Sequence, residues 1–141
     1  MKIFLAFILL FICCSAASLP QGSDAANEIK SALASNKHVR LYFVSRTETY
    51  NWEGDKFKSE AGLIVYRGCG SNCANLMGAV VKHLYAAKRV ACNVGQQSML
   101  IEIGEKTLTY SYSSRMIKLD GICYFNANSL SKLDLKSVFF D

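Results

Sequence analysis

The chain has 141 residues, is 51% hydrophobic and 11% aromatic, holds six cysteines and nine glycines but one proline, and carries a formal charge of +5. This composition can bury a core, which excludes low-complexity disorder, and the length leaves room for one small domain but not for an α/β barrel. The Lys and Arg residues are dispersed among Glu and Asp, so the charge excess reads as a solvated surface, and no nucleic-acid partner is expected.

Met1-Lys2, the apolar run 3–12 and Ser15-Ala16-Ala17 follow the plan of a secretory leader, cleaved after Ala17. Residues 18–141 then form one small secreted domain, extracellular or periplasmic. The apolar run falls short of the roughly 20 residues that cross a bilayer, so no membrane span is expected. Lipidation of Cys13 or Cys14 would want small residues in front, where Phe11 and Ile12 stand.

Ser23-Asp24 followed by Ala25, Ala26, Ile29, Ala32 and Leu33 predicts a short amphipathic helix ending at Asn36. Val39 to Val44 alternates β-branched and aromatic side chains as a half-buried strand does. Residues 46–60 are polar apart from Tyr50, Trp52 and Phe57 and read as a long hairpin excursion, after which Leu63 to Tyr66 resume the strand pattern. From Ala74 to Arg89, Met77, Val80, Val81 and Leu84 fall on one face of a helix. The period then changes from 3.6 to 2. Residues 99–103, 108–112, 116–119 and 122–125 read as four strands, joined by turns at Gly104-Glu105, Ser113-Ser114 and Asp120-Gly121. The expected fold class is α+β: a four-stranded C-terminal meander plus one or two earlier strands, packed on one main helix.

The four cysteines beyond the leader, Cys69, Cys73, Cys92 and Cys123, allow three pairings. If the helix is continuous, Cys73 and Cys92 lie near opposite ends of a rod rising about 1.5 Å per residue, too far apart for a bridge. Cys69–Cys92 meets nearly the same objection. Cys69–Cys73 and Cys92–Cys123 remain. A zinc site would want paired knuckles, which C-x3-C followed by two single cysteines lacks, and export favours oxidation.

His38 and His83 are the only imidazoles in the sequence. With all four thiols oxidised, a Cys–His nucleophile is not expected. A ribonuclease-like hydrolase would recruit His38, His83, Glu102 and Arg115 around a phosphate. There is no phosphate-cradling glycine loop and no dinucleotide fingerprint, so no cofactor is expected. Trp52 in a polar loop, with Tyr50 and Phe57 beside it, suits a binding surface, because Trp and Tyr concentrate binding energy. Arg115 beside Ser113-Ser114 suits an anion contact. Tyr110 and Tyr112 share a strand face, either as a packing row or as a platform for a sugar.

Gly95 to Ile103, Thr109-Tyr110, and Ser113-Ser114-Arg115 with Cys123 eight residues beyond the Arg resemble the C-terminal half of pertussis-like toxin B subunits. That resemblance implies an OB-fold pentamer that binds sialylated glycans. It covers about a quarter of the chain. Cys73 and Cys92 are additional to the pattern, and the paired cysteines it wants near Val44 and after Cys123 are missing, so no sugar-binding residue is carried over. In size and cysteine use the chain is equally similar to small secreted effectors of plant-pathogenic fungi. The functional expectation is a non-catalytic secreted binding protein, a virulence effector or toxin-associated subunit, engaging a host protein or glycan through Tyr50, Trp52, Phe57 and Arg115. The alternatives are a periplasmic inhibitor or immunity protein and the ribonuclease-like hydrolase.

Overall fold

The computed structural model describes residues 21–36, 38–44, 54–92, 96–128 and 130. The expected leader, Tyr50, Trp52 and the tail from residue 131 lie outside the described residues. Three helices and seven strands follow in chain order: α1 (Gly22–Ser35), β1 (His38–Phe43), α2 (Gly54–Glu60), β2 (Gly62–Arg67), α3 (Ser71–Tyr85), β3 (Lys88–Val90), β4 (Met99–Ile103), β5 (Lys106–Ser111), β6 (Met116–Leu119) and β7 (Ile122–Phe125). The strands form one sheet in the order β2-β1-β4-β5-β6-β7-β3, and every neighbouring pair is antiparallel.

Strand alternation sorts the side chains of this sheet into two faces. Register sets Val39 opposite Ile103, Leu41 opposite Ile101, Ile101 opposite Leu108, and Tyr110 opposite both Met99 and Ile117. All of these are buried, and together they form the sheet side of the main core. The other layer of that core comes from α1 (Ala25, Ala26, Ile29) and α3 (Cys73, Leu76, Met77, Val80, Leu84), each presenting an i, i+3, i+4 stripe. α1 starts with the Gln21 N–H donating to the Asp24 carboxylate at 3.0 Å, which satisfies one of the free donors of its first turn. It stops at Asn36, whose backbone is extended and whose side-chain amide donates back to the Ala32 carbonyl at 2.7 Å.

α1 and α3 lie side by side, with the start of α1 against the end of α3. Gly22 makes that approach possible, because a Cβ there would run into the Leu84 and Ala87 carbonyl oxygens. Tyr85 spans the same joint, donating its hydroxyl to Asn27 at 2.8 Å and accepting from Lys30 at 3.3 Å.

The structure corrects several expectations. Besides the two helices expected at 23–36 and 74–89, the described residues hold a third. The excursion after β1 includes α2, which the polar composition of 46–60 concealed. The 74–89 helix runs from Ser71 to Tyr85, and Lys88–Val90 instead pairs with β7 at the far edge of the sheet. That makes three strands outside 99–125 rather than one or two. The Ser113-Ser114 turn is a four-residue loop, 112–115, because Ser111 pairs with Met116 and Arg115 takes the positive φ of 55°. The toxin-subunit resemblance implies a closed OB barrel, whereas this sheet is open, with β2 and β3 as separate edges.

Among the described residues, two disulfides are present. Cys69–Cys73 ties the entry of α3 with Cα atoms 4.9 Å apart. Cys92–Cys123 joins the segment after β3 to β7 with Cα atoms 5.2 Å apart. No described helix is long and apolar enough to cross a membrane.

Candidate functional site

The face of the sheet turned away from α1 and α3 is built differently. Its residues are His38, Arg40 and Tyr42 on β1, Val65 and Arg67 on β2, Leu100 and Glu102 on β4, Thr107 and Thr109 on β5, and Lys118 on β6. α2 lies across part of it. Its Phe57 is fully buried outside the main core, and so is Leu100. Lys58, one residue on, donates to the Glu102 carboxylate and stands 5.9 Å from the centre of the Tyr42 ring. Burying one aromatic ring contributes about 2–3 kcal/mol, which fixes a helix of only seven residues.

Two concavities flank the Lys58–Glu102 pair. The first, about 390 Å³, is lined by Asn36, His38, Arg40, Arg67, Glu102 and Gly104. The second, about 420 Å³, has Asp55, Lys58, Thr107, Thr109, Lys118 and Asp120 in its wall. Both fall in the size range of about 300–1,000 Å³ typical of small-molecule sites.

In the first cleft, His38 and Arg67 are direct cross-strand partners, and Arg40 is flanked by Val65 on one side and Glu102 on the other. The nearest Arg40–Glu102 approach is 3.8 Å, with the Arg side chain 59% exposed and the Glu 16%. The hydrogen bond from Lys58 to Glu102 holds the ammonium pKa above the usual lysine value, against a smaller opposing effect of burial. Glu102 therefore spends its charge chiefly on Lys58. Gly104 takes φ +58° in the two-residue β4–β5 turn, and a Cβ there would collide with the Asn36 side chain at the rim.

The residues singled out in the sequence are scattered by this fold. Tyr50 and Trp52 lie outside the described residues. Phe57 is wholly buried, so its ring anchors α2 and does not meet a ligand from outside. Arg115 is exposed on the β5–β6 loop, where its Nη1 donates to the Ala127 carbonyl at 2.7 Å. Tyr110 is buried in the main core. Its hydroxyl accepts from the Leu130 N–H at 3.1 Å, and Tyr112 meets its ring edge-on at 4.9 Å, so the pair packs inward and offers no sugar platform.

His83 sits on the core side of α3, 5% exposed and 5.7 Å from Tyr110, so the sheet separates it from His38. Burial pushes its imidazole pKa below the usual value, partly offset by a hydrogen bond to the Arg115 backbone. Of the four residues named for a hydrolase, His38 and Glu102 come together, in the company of Arg40 and Arg67, which the sequence reading did not select. Polar residues at His38 and Arg40, alternating with apolar Val39 and Leu41, were the available signal. Among the described residues, no group of three His, Cys, Asp or Glu side chains could hold a metal.

No family model, curated protein or solved structure matches the chain.

Proposed function

We propose that this protein is an exported, non-catalytic binding domain of the virulence-effector or toxin-associated type. It engages a host molecule through the sheet face beside α2 and the 46–58 segment that runs into that helix. The observation that carries the reading is the asymmetry of the sheet. α1 and α3 seal one face with a continuous apolar core, while the opposite face keeps two adjoining concavities lined by charged and hydroxyl side chains. Two disulfides agree with an oxidising destination.

Photo-crosslinking from single positions tests it. A crosslinker placed at Lys118, on the α2 side, is expected to yield discrete adducts with a host extract. One placed at Lys82, on the outer surface of α3, is not. Trp52→Ala should reduce the Lys118 adducts with an unchanged melting temperature; equal adducts from both positions would contradict the reading.

One observation favours a second reading, a small ribonuclease-like hydrolase: His38, Glu102, Arg40 and Arg67 line one cleft. An acid–base pair beside two cations is what phosphodiester cleavage asks for. RNA turnover that is lost in both His38→Ala and Glu102→Gln would establish it, and absence of turnover in the unaltered protein would remove it.

A further inference from the structure

We infer that the cleft between β1, β2 and the β4–β5 turn is a binding site for a phosphate monoester group, held by Arg67, Arg40 and His38. The inference deepens the binding reading above and rests on it.

Three observations lead there. The first is the charge count. The cleft is lined by Arg40 and Arg67 against Glu102, and Glu102 is neutralised by Lys58 from the neighbouring concavity. That leaves the two guanidinium charges uncancelled within the cleft, while Asp55, Glu105 and Asp120 lie in the neighbouring concavity. Among the described residues Arg67 and His38 have no acidic partner, because the one carboxylate present is taken by Lys58 and, more distantly, by Arg40.

The second is placement. His38 stands directly opposite Arg67 and two residues from Arg40 on the same face of the same strand. Directly opposed side chains have Cβ atoms about 4.5–5.5 Å apart, and diagonal ones about 7–8 Å, so the three groups surround a space of ligand size. Like charges placed this way repel, and a bound dianion reverses the sign of that interaction. A phosphate monoester carries about −1.5 to −2 charges at neutral pH, which matches the excess, and guanidinium groups grip its oxygens in pairs.

The third is shape. At about 390 Å³ the cleft exceeds what a bare phosphate fills. On the far side of the Lys58–Glu102 pair, the second concavity offers the Thr107 and Thr109 hydroxyls with the carboxylates of Asp55, Glu105 and Asp120 and the Lys118 ammonium. A hydroxylated body attached to the phosphate, such as a sugar, finds donors and acceptors there.

Isothermal titration of the oxidised chain with inorganic phosphate, glucose 6-phosphate and inorganic sulfate tests the assignment. Saturable one-to-one binding of phosphate is expected, with tighter binding of glucose 6-phosphate and weaker binding of sulfate. Arg67→Glu should weaken phosphate binding at least about tenfold, the worth of one charge-assisted contact. Arg67→Lys should fall between, and Lys88→Glu on the opposite sheet edge should change nothing. No saturable phosphate binding by the unaltered chain, or equal binding by Arg67→Glu, overturns the inference. Sulfate binding as tight as phosphate overturns the monoester assignment. Crosslinks from Lys118 that persist while phosphate fails to bind would leave the binding reading standing and remove only the anion. Loss of those crosslinks would remove the broader reading itself.

Discussion

His83 is a titratable group enclosed in apolar surroundings, and that has a consequence for stability. Its imidazole pKa is lowered in the folded chain, chiefly by burial, so below the ordinary histidine range the unfolded chain takes up a proton that the folded chain resists. Its neutral form therefore favours folding fully above about pH 6.5, and this contribution is lost as the pH falls from there through the lower folded-state value. Urea unfolding from pH 7.5 down to pH 5 should show stability declining, with a shallower decline in His83→Gln. An identical slope in the variant would show that other groups set the acid limit. Gly22 acts by another route. Because Leu84 and Ala87 carbonyl oxygens occupy the place of its missing Cβ, Gly22→Ala should cost about 1–3 kcal/mol, despite the better helix propensity of alanine. A melting temperature equal to or above the parent's would show that the two helices can part without loss.

At the scale of elements, the features legible in the sequence were those with local causes. The α3 stripe of Met77, Val80 and Leu84 and the alternation of Val39 with Leu41 are visible from spacing alone. So are the turns at Gly104 and at Asp120-Gly121, where φ values of 58°, 49° and 79° are those such residues supply. α2 was not legible, because its seven residues contain one large apolar side chain, Phe57, and one residue cannot define a period. Burial of that ring and the Lys58 bond to Glu102 on β4, with the Lys56–Glu60 ion pair at 2.7 Å, make it a helix. The cleft was illegible for the same reason. His38, Arg67 and Glu102 meet only because β1 pairs with both β2 and β4, a register that no local pattern encodes.

The two disulfides also differ as elements. They enclose separations of 4 and 31 residues, so chain-entropy estimates give about 2 kcal/mol for the first and about 3–4 kcal/mol for the second. Replacing both members of each pair by Ser should therefore lower stability more for Cys92–Cys123 than for Cys69–Cys73, as read by denaturant midpoints. The reverse order would mean that the short bridge holds α3 in place by more than loop closure.

At the scale of the whole molecule, α3 carries the chain from β2 at one sheet edge to β3 at the other, and its apolar stripe closes the core between them. The two edges end on cations, Arg67 on β2 and Lys88 with Arg89 on β3, which discourage pairing with another sheet. Leu63 and Val65 on β2 are 51% and 48% exposed, on the same side as the cleft. The molecule thus has a sealed side and an open side, and phosphate binding is assigned to the open one. A ¹H–¹⁵N correlation titration of the oxidised chain with inorganic phosphate tests this assignment most directly. Saturating shifts confined to residues 36–40, 64–68 and 101–106 are expected. Shifts gathered on α1 and α3, or none at any phosphate concentration, would contradict it.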